Sequence, residues 1–284
     1  MHNYLSQESI KEFIKAAVQE DIRNGDHSSL AAIPESAQNN AELRIKAHGI
    51  IAGVEMAKHI LHYFNPQFKI NLFIEDGAEV QKGDVAFEVS GKARDILGAE
   101  RLLLNCMQRM SGIATYTTHL KSLIEGTKAQ LLDTRKTTPN FRIAEKWAVK
   151  IGGGTNHRFG LFDMVMLKDN HIDFAGGIEA AINATVDYLK KNNLNLKIEI
   201  ETRTLEEVEQ VVKTGKVDIV MLDNMPPKTI REALKIIGGR YKTEASGGIT
   251  EESIRSIAET GVDYISVGAL THSAPSLDMS LKAV

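Results

Sequence analysis

With one cysteine, one tryptophan and six prolines in 284 residues, the chain lacks the means for several kinds of architecture. A lone Cys106 excludes an internal disulfide and leaves no thiolate zinc site. It lies in an apolar helical stretch, where core placement is the ordinary outcome. No apolar run approaches a membrane span, and the amphipathic, acid-containing segment up to Asp26 lacks the apolar centre of a signal peptide. A surplus of positive charge is also missing. The formal net charge is −3, which argues against broad contact with nucleic acid or an anionic membrane. These absences lead to the expectation of a cytoplasmic protein with small-molecule partners. The composition, 43% hydrophobic and 25% charged, is enough to bury one large core or two modest ones.

Positive charge is instead concentrated locally. Between Asp133 and His171 stand three cationic clusters: Arg135 with Lys136, His157 with Arg158, and Lys168 with His171. They lie beside short apolar runs, a pattern that points to a small, strongly anionic ligand.

The rhythm of the chain divides it in two. The first hundred or so residues hold an entry helix, short alternating strands and turn signals at Asp76-Gly77 and Lys82-Gly83-Asp84, which read as a small α+β module. From Gly98 to about Glu125 apolar residues recur at helical spacing, as Leu102, Leu103, Cys106, Met110 and Ile113, and predict a linking helix. Six apolar runs then alternate with amphipathic helices: 129–132, 163–167, 196–200, 218–222, 241–245 and 263–267. Thr250 is placed as an N-cap and Gly261 just past a helix end. Repeated β-α units predict a parallel sheet covered by helices. The stretch is short for an eight-unit barrel, so a reduced or irregular barrel is expected, with a doubly wound sheet as the alternative.

Each run ends on chemically costly residues. Asp133, Arg135 and Lys136 follow the first; Lys168, Asp169, Asn170 and His171 follow the second. Glu201 closes the third and Asp223 with Asn224 the fourth, while Ser246, Gly247 and Gly248 follow the fifth and Gly268 the sixth. In a β/α barrel such ends converge on one mouth. The two glycine turns suit a phosphate received by backbone N–H groups. Arg135, Lys136, Arg158 and Lys168 suit a ligand with several anionic groups. Glu201 and Asp223 would be out of place in a site for anions alone; they fit a divalent cation, sugar hydroxyls or a developing positive charge.

The strings EDIRNGD, ERLLLNCMQRMSGIAT, DTRKTTP, GGGTNHR, KDNH, IEIE, MLDN, ASGGI and VGALTHS, in this order, closely resemble the quinolinate phosphoribosyltransferase family from about residue 20 onward. Asn140, Trp147 and His27 depart from the family pattern at positions not expected to touch substrate. The resemblance implies a magnesium-dependent reaction of de novo NAD biosynthesis: quinolinate and 5-phosphoribosyl 1-pyrophosphate give nicotinate mononucleotide, pyrophosphate and carbon dioxide. It implies an irregular, seven-stranded α/β barrel (114–270) after an N-terminal α+β open sandwich (1–113), with 271–284 returning to the first domain.

By motif, the resemblance also implies roles. Arg101 looks like an arginine that enters the neighbouring site of a homodimer. Arg135, His157 and Arg158 look like the clamp on quinolinate's carboxylates, and Lys136 and Lys168 like contacts to carboxylate and pyrophosphate. Glu201 and Asp223 resemble the pair at the ribose hydroxyls and the metal; Lys136, Lys168, Glu201 and Asp223 are the expected catalytic set. Ser246, Gly247, Gly248 and Gly268 resemble a 5′-phosphate cradle, and His171 either binds pyrophosphate or orients its neighbours. Two alternatives stand beside this reading: a molybdenum-transport-associated paralogue of the same fold, and a barrel aldolase forming a Schiff base at Lys168.

Overall fold

The computed structural model describes residues 4–284, so the first three residues of the entry segment lie outside the described residues. Two compact units are present. One comprises residues 4–118, Lys136–Gly153 and Ala269–Val284; the other comprises His119–Arg135 and Gly154–Gly268.

The N-terminal unit opens with α1 (Gln7–Asp21) and α2 (His27–Ala32), the second capped by Asp26, whose carboxylate accepts from the N–H groups of Ser28 and Ser29. Then follow β1 (Gln38–Ile45), β2 (Gly49–Ile50), α3 (Val54–Phe64), β3 (Lys69–Leu72), β4 (Glu79–Val80), β5 (Val85–Lys92) and α4 (Ala93–Leu123). Alternation in β1 buries Ala41, Leu43 and Ile45 while intervening residues face outward, as a half-covered sheet requires. The Asp76-Gly77 turn does more than reverse the chain. Asp76 accepts from the N–H groups of Val54 at 2.8 Å and Glu55 at 3.2 Å, capping α3 from a distance in sequence. Helix α4 starts at Ala93 rather than Gly98 and buries Leu103, Cys106, Met110 and Ile113 on one side.

Two later segments belong to this unit. One carries α5 (Arg142–Ile151), inside the stretch expected to belong to the barrel. Its Glu145 is fully buried and pairs with Arg109 of α4 at 3.1 Å, while Thr138 donates its N–H to the same carboxylate at 2.9 Å. Arg109 also donates to the carbonyls of Ala274 and Thr271. The other segment is the C-terminal one. A Cβ at Gly112 would overlap the Pro275 carbonyl oxygen, so only glycine lets α4 approach it.

The parallel unit contains β6 (Gln130–Leu132), β7 (Val165–Leu167), α6 (Asp169–Ala175), α7 (Ile178–Lys191), β8 (Ile198–Thr202), α8 (Leu205–Thr214), β9 (Ile219–Asp223), α9 (Pro227–Ile237), β10 (Lys242–Ser246), α10 (Glu251–Ala258) and β11 (Tyr264–Ser266). After it, α11 (Ala269–His272) and β12 (Met279–Ala283) rejoin the N-terminal unit, whose four-stranded antiparallel sheet has the order β12-β1-β5-β3. The parallel sheet has six strands in the order β6-β11-β10-β9-β8-β7. All six expected apolar runs are strands, shortened or shifted by one or two residues. In place of a full seventh strand there is one parallel bridge, Leu132 to Thr155, on the outer edge of β6. The glycines before Thr155 give that segment no side chains to pack, which limits its pairing. Thr250 caps α10 and Gly261 follows that helix with a positive φ of 90°. No described helix is long and apolar enough to cross a membrane.

Removing Arg109 would leave Glu145 charged and buried. Arg109→Ala should therefore lower unfolding free energy by about 3–5 kcal/mol, read as a shift in denaturant midpoint; an unchanged midpoint would show that Glu145 does not depend on that partner.

Candidate active site

Parallel strands place their C-terminal ends on one edge of the sheet, and the expected site residues of this unit lie at those ends. Beyond β6, Asp133 is fully buried and works as a local organiser. Its carboxylate accepts from the His157 N–H at 2.9 Å and from the Asn156 amide at 2.6 Å. This fixes the backbone that presents His157 and Arg158. The Arg158 guanidinium is buried, donates to the Met164 carbonyl at 3.2 Å, and feels Arg135 strongly enough to matter. Burial and then the like charge of Arg135 pull its pKa below the ordinary arginine value, opposed by Glu199 and Asp163. Two guanidinium groups held near each other, one of them buried, form a site that gains from receiving an anion.

Beneath these cations lie two acids absent from the expected site. Glu199 on β8 and Glu244 on β10 are both fully buried. The His157 imidazole meets Glu199 Oε2 at 2.7 Å and Glu244 Oε2 at 3.6 Å, and Ser266 on β11 donates its hydroxyl to Glu244. Both carboxyls have raised pKa values. Burial is the main cause for each; for Glu244 the next is the charge of Glu199. Glu199 is two residues before Glu201 on the same strand, so both side chains project from one face. The signal for them in the sequence is an acid inside a strand-like run, at IEIE and at TEAS, where an unpaired acid is otherwise rare.

A second cluster is formed at the ends of β7, β8 and β9. Lys168 Nζ stands 3.6 Å from Glu201 Oε2. Burial and then Asp223 raise the Glu201 pKa, with Lys168 opposing. The Lys168 backbone N–H donates to His171 Nδ1 at 3.0 Å, so His171 orients the start of α6 through that nitrogen. Asn224, at a positive φ of 54°, donates its side-chain amide to Asp223 at 2.6 Å and its N–H to the Ser246 carbonyl at 2.8 Å. Gly247 has a φ of 91°, and a Cβ there would collide with the Asn224 amide. The glycine turn and the acid of the neighbouring strand thus share one hinge residue. Gly268 is half-buried just beyond β11. Arg101 on α4 and Lys136 are exposed and belong to the N-terminal unit, where the Lys136 carbonyl accepts from the Thr271 hydroxyl at 2.9 Å.

Two donor sets invite a cation. Glu201 and Asp223 offer carboxylate oxygens whose mutual repulsion a hard divalent ion such as magnesium would relieve, and they fit it. His157, Glu199 and Glu244 also place ligand-type atoms within 4.8 Å of one another. Their 2.7 Å nitrogen-to-oxygen approach is hydrogen-bond spacing, so a proton already joins that pair.

Comparison with known proteins gives a consistent result. Family models described as quinolinate phosphoribosyl transferase match here over both their N-terminal domain, at residues 26–111, and their C-terminal domain, at residues 113–282. A Nicotiana tabacum protein named quinolinate phosphoribosyltransferase (decarboxylating) 2b, mitochondrial, is 46% identical over 96% of this chain and 82% of its own. An Arabidopsis thaliana protein named nicotinate-nucleotide pyrophosphorylase (carboxylating), chloroplastic, is likewise 46% identical with the same coverage. The solved nicotinate-nucleotide pyrophosphorylase of Francisella tularensis superposes with a TM-score of 0.90 at 39% identity, covering 99% of this chain and 98% of that one.

The raised pKa of Glu244 carries a consequence for stability. The folded state holds a proton that the unfolded chain releases near the ordinary glutamate value, so the folded state binds more protons than the unfolded one above that value. Stability should fall as pH rises from about 5 toward neutrality. Glu244→Gln, which cannot ionise, should flatten that fall in melting temperature; an unchanged slope would assign the effect elsewhere.

Proposed function

Because this chain belongs to the quinolinate phosphoribosyltransferase family, we propose that it transfers a phosphoribosyl group from 5-phosphoribosyl 1-pyrophosphate to quinolinate. The products are nicotinate mononucleotide, pyrophosphate and carbon dioxide, a step of de novo NAD biosynthesis. The observation that carries this reading is the nearness of Arg135 to the buried Arg158, next to His157, in a unit whose strand ends also carry Glu201 and Asp223. A planar dicarboxylate matches the first group, and a sugar phosphate the second.

In this reading Arg135, His157 and Arg158 grip the pyridine dicarboxylate and aim its ring nitrogen at ribose C1. The Ser246-Gly247-Gly248 turn and Gly268 receive the 5′-phosphate through backbone N–H groups. Glu201 and Asp223 face the sugar, and their negative charge favours the cationic character that grows there as pyrophosphate departs. Lys168, held beside Glu201, supplies positive charge on the leaving-group side, with His171 fixing its backbone. Magnesium held by Glu201 and Asp223 would add neutralisation of the pyrophosphate when bound. After nitrogen alkylation the ring is a pyridinium whose adjacent positive charge stabilises the carbanion left at ring C2 as carbon dioxide departs, and a proton from solvent then completes that carbon. Lys168 is ion-paired and half-exposed, unlike the desolvated amine of a Schiff-base enzyme, so the aldolase reading is not favoured.

A homodimer belongs to the same proposal, with Arg101 entering the neighbouring subunit's site and Lys136 contacting the substrate carboxylate or pyrophosphate there. It is supported by the exposure of Arg101 and by large apolar side chains open to solvent at Leu161, Phe162 and Phe174, the last 90% exposed. A cytoplasmic location is proposed too, although the tobacco relative is named as mitochondrial.

The deciding experiment follows carbon dioxide released from carboxyl-labelled quinolinate. Release should require phosphoribosyl pyrophosphate, stop on chelation of divalent cations and return with magnesium; release without phosphoribosyl pyrophosphate, or none in the complete mixture, would overturn the reading. Separately, Arg101→Ala and Lys136→Ala should each be nearly inactive, while an equimolar mixture after subunit exchange regains about a quarter of wild-type turnover, since about half of its dimers are mixed and each of those holds one intact site of two. Verified heterodimers without recovery would refute the shared site.

A further inference from the structure

The proposed substrate clamp needs one side chain in a single orientation, and the residues beneath it supply that constraint. His157 is pinned at two points: Asp133 accepts from its backbone N–H at 2.9 Å, and Glu199 meets its Nε2 at 2.7 Å. Its side chain is only 8% exposed, so water competes little for that nitrogen. Glu199 and Glu244 come from β8 and β10, with β9 between them, and reach one another only because their side chains converge on the same face of the sheet. Ser266, one strand further along, holds Glu244 in place through its hydroxyl.

Resting on the function proposed above, we propose that Glu199 is a positioning residue for His157, and that Glu244 with Ser266 forms its support, setting the enzyme's affinity for the dicarboxylate substrate. The chain of contacts runs Ser266 to Glu244, Glu244 to Glu199, Glu199 to His157. Glu199 accepts the Nε2 proton and so fixes both ring plane and tautomer. Glu244 completes this as a donor to Glu199. Glu199 Oε1 and Glu244 Oε2 are both buried with no other hydrogen-bond partner, so one proton held on Glu244 and donated to Glu199 satisfies both. The support therefore has a polarity: a charge is needed at 199, and only a donor at 244.

That polarity separates the variants. Glutamine at 244 keeps an oxygen for Ser266 and an N–H for Glu199, whereas glutamine at 199 presents a neutral amide to the imidazole. Glu199→Gln should raise KM for quinolinate roughly ten- to hundredfold, the worth of a buried hydrogen bond to a charged group, while KM for phosphoribosyl pyrophosphate stays within about twofold. Glu244→Ala should raise KM for quinolinate in the same direction, and Glu244→Gln should restore it to within about threefold of wild type. In a His157→Ala background, Glu199→Gln should add nothing further.

Several results would overturn the proposal: an unchanged KM for quinolinate in Glu199→Gln, an equal rise in both KM values, no rescue by Glu244→Gln, or additive losses in the His157→Ala background. If Glu199→Gln does not fold, the Glu244 pair decides alone. A stoichiometric transition metal in purified enzyme, lost together with quinolinate affinity on substitution of any of the three, would instead assign the cluster as a metal site and refute the positioning role. Wild-type enzyme inactive on quinolinate would sink the functional reading itself, a result distinguishable from all of these.

Discussion

Charge buried without an opposite charge nearby is the most expensive thing this sheet contains, and the arrangement around His157 is an answer to that cost. An isolated ion moved into a dry interior loses several kcal/mol even after relaxation. Here Arg158, His157, Glu199 and Glu244 are buried together, with Arg135 close above. The acids are the deepest members and Lys168 is the most open, its side chain 48% exposed. A ligand arriving from solvent thus meets positive charge first, and Glu199 compensates for it from behind. The structure can maintain a strongly cationic wall in the absence of ligand because its negative counterpart is already inside.

Strand geometry lets one sheet serve two chemistries at once. On β8 the period-two alternation sends Glu199 and Glu201 to the same face, the former under the cations and the latter beside Lys168 and Asp223. Neither can move without the strand. Just past the adjacent β9, Asn224 has the corresponding role, joining Asp223 to the Ser246-Gly247 turn through one side-chain and one main-chain hydrogen bond. Relative placement of the acid and the glycine turn is thereby set by hydrogen bonds to one residue rather than left to loop flexibility.

Much of this was legible in the sequence, for identifiable reasons. The six parallel strands announce themselves because each apolar run ends in polar residues, and the helices because Thr250 and Gly261 mark their limits locally. Glu199 and Glu244 were harder to see as functional. Within a strand run the expectation is apolar core, and only their three-dimensional convergence with His157 gives an acid there a purpose. Long-range features escaped for a different reason. Arg109 meets Glu145 across thirty-six positions, and Asp76 caps a helix that begins twenty-two residues earlier. Nothing in local spacing announces either contact, so the placement of Lys136–Gly153 with the N-terminal unit could not be inferred from periodicity.

The antiparallel sheet of that unit has a temporal implication. Its strand β1 pairs with β5 on one side and with β12 on the other, Leu43 opposite Leu281 and Ile45 opposite Met279. During synthesis the ribosome makes β1 early and β12 only after the whole parallel unit has emerged. Through that interval one edge of β1 stays open, with unpaired backbone groups on a strand that carries an apolar face. In the parallel unit strands β7 to β11 each pair with the next one along the chain and have no such wait; its β6 does wait for β11, but that partner is made before β12. Nascent chains should therefore complete their second half first, and the exposed edge of the first half is where a chaperone, or a neighbouring nascent chain, would find something to hold.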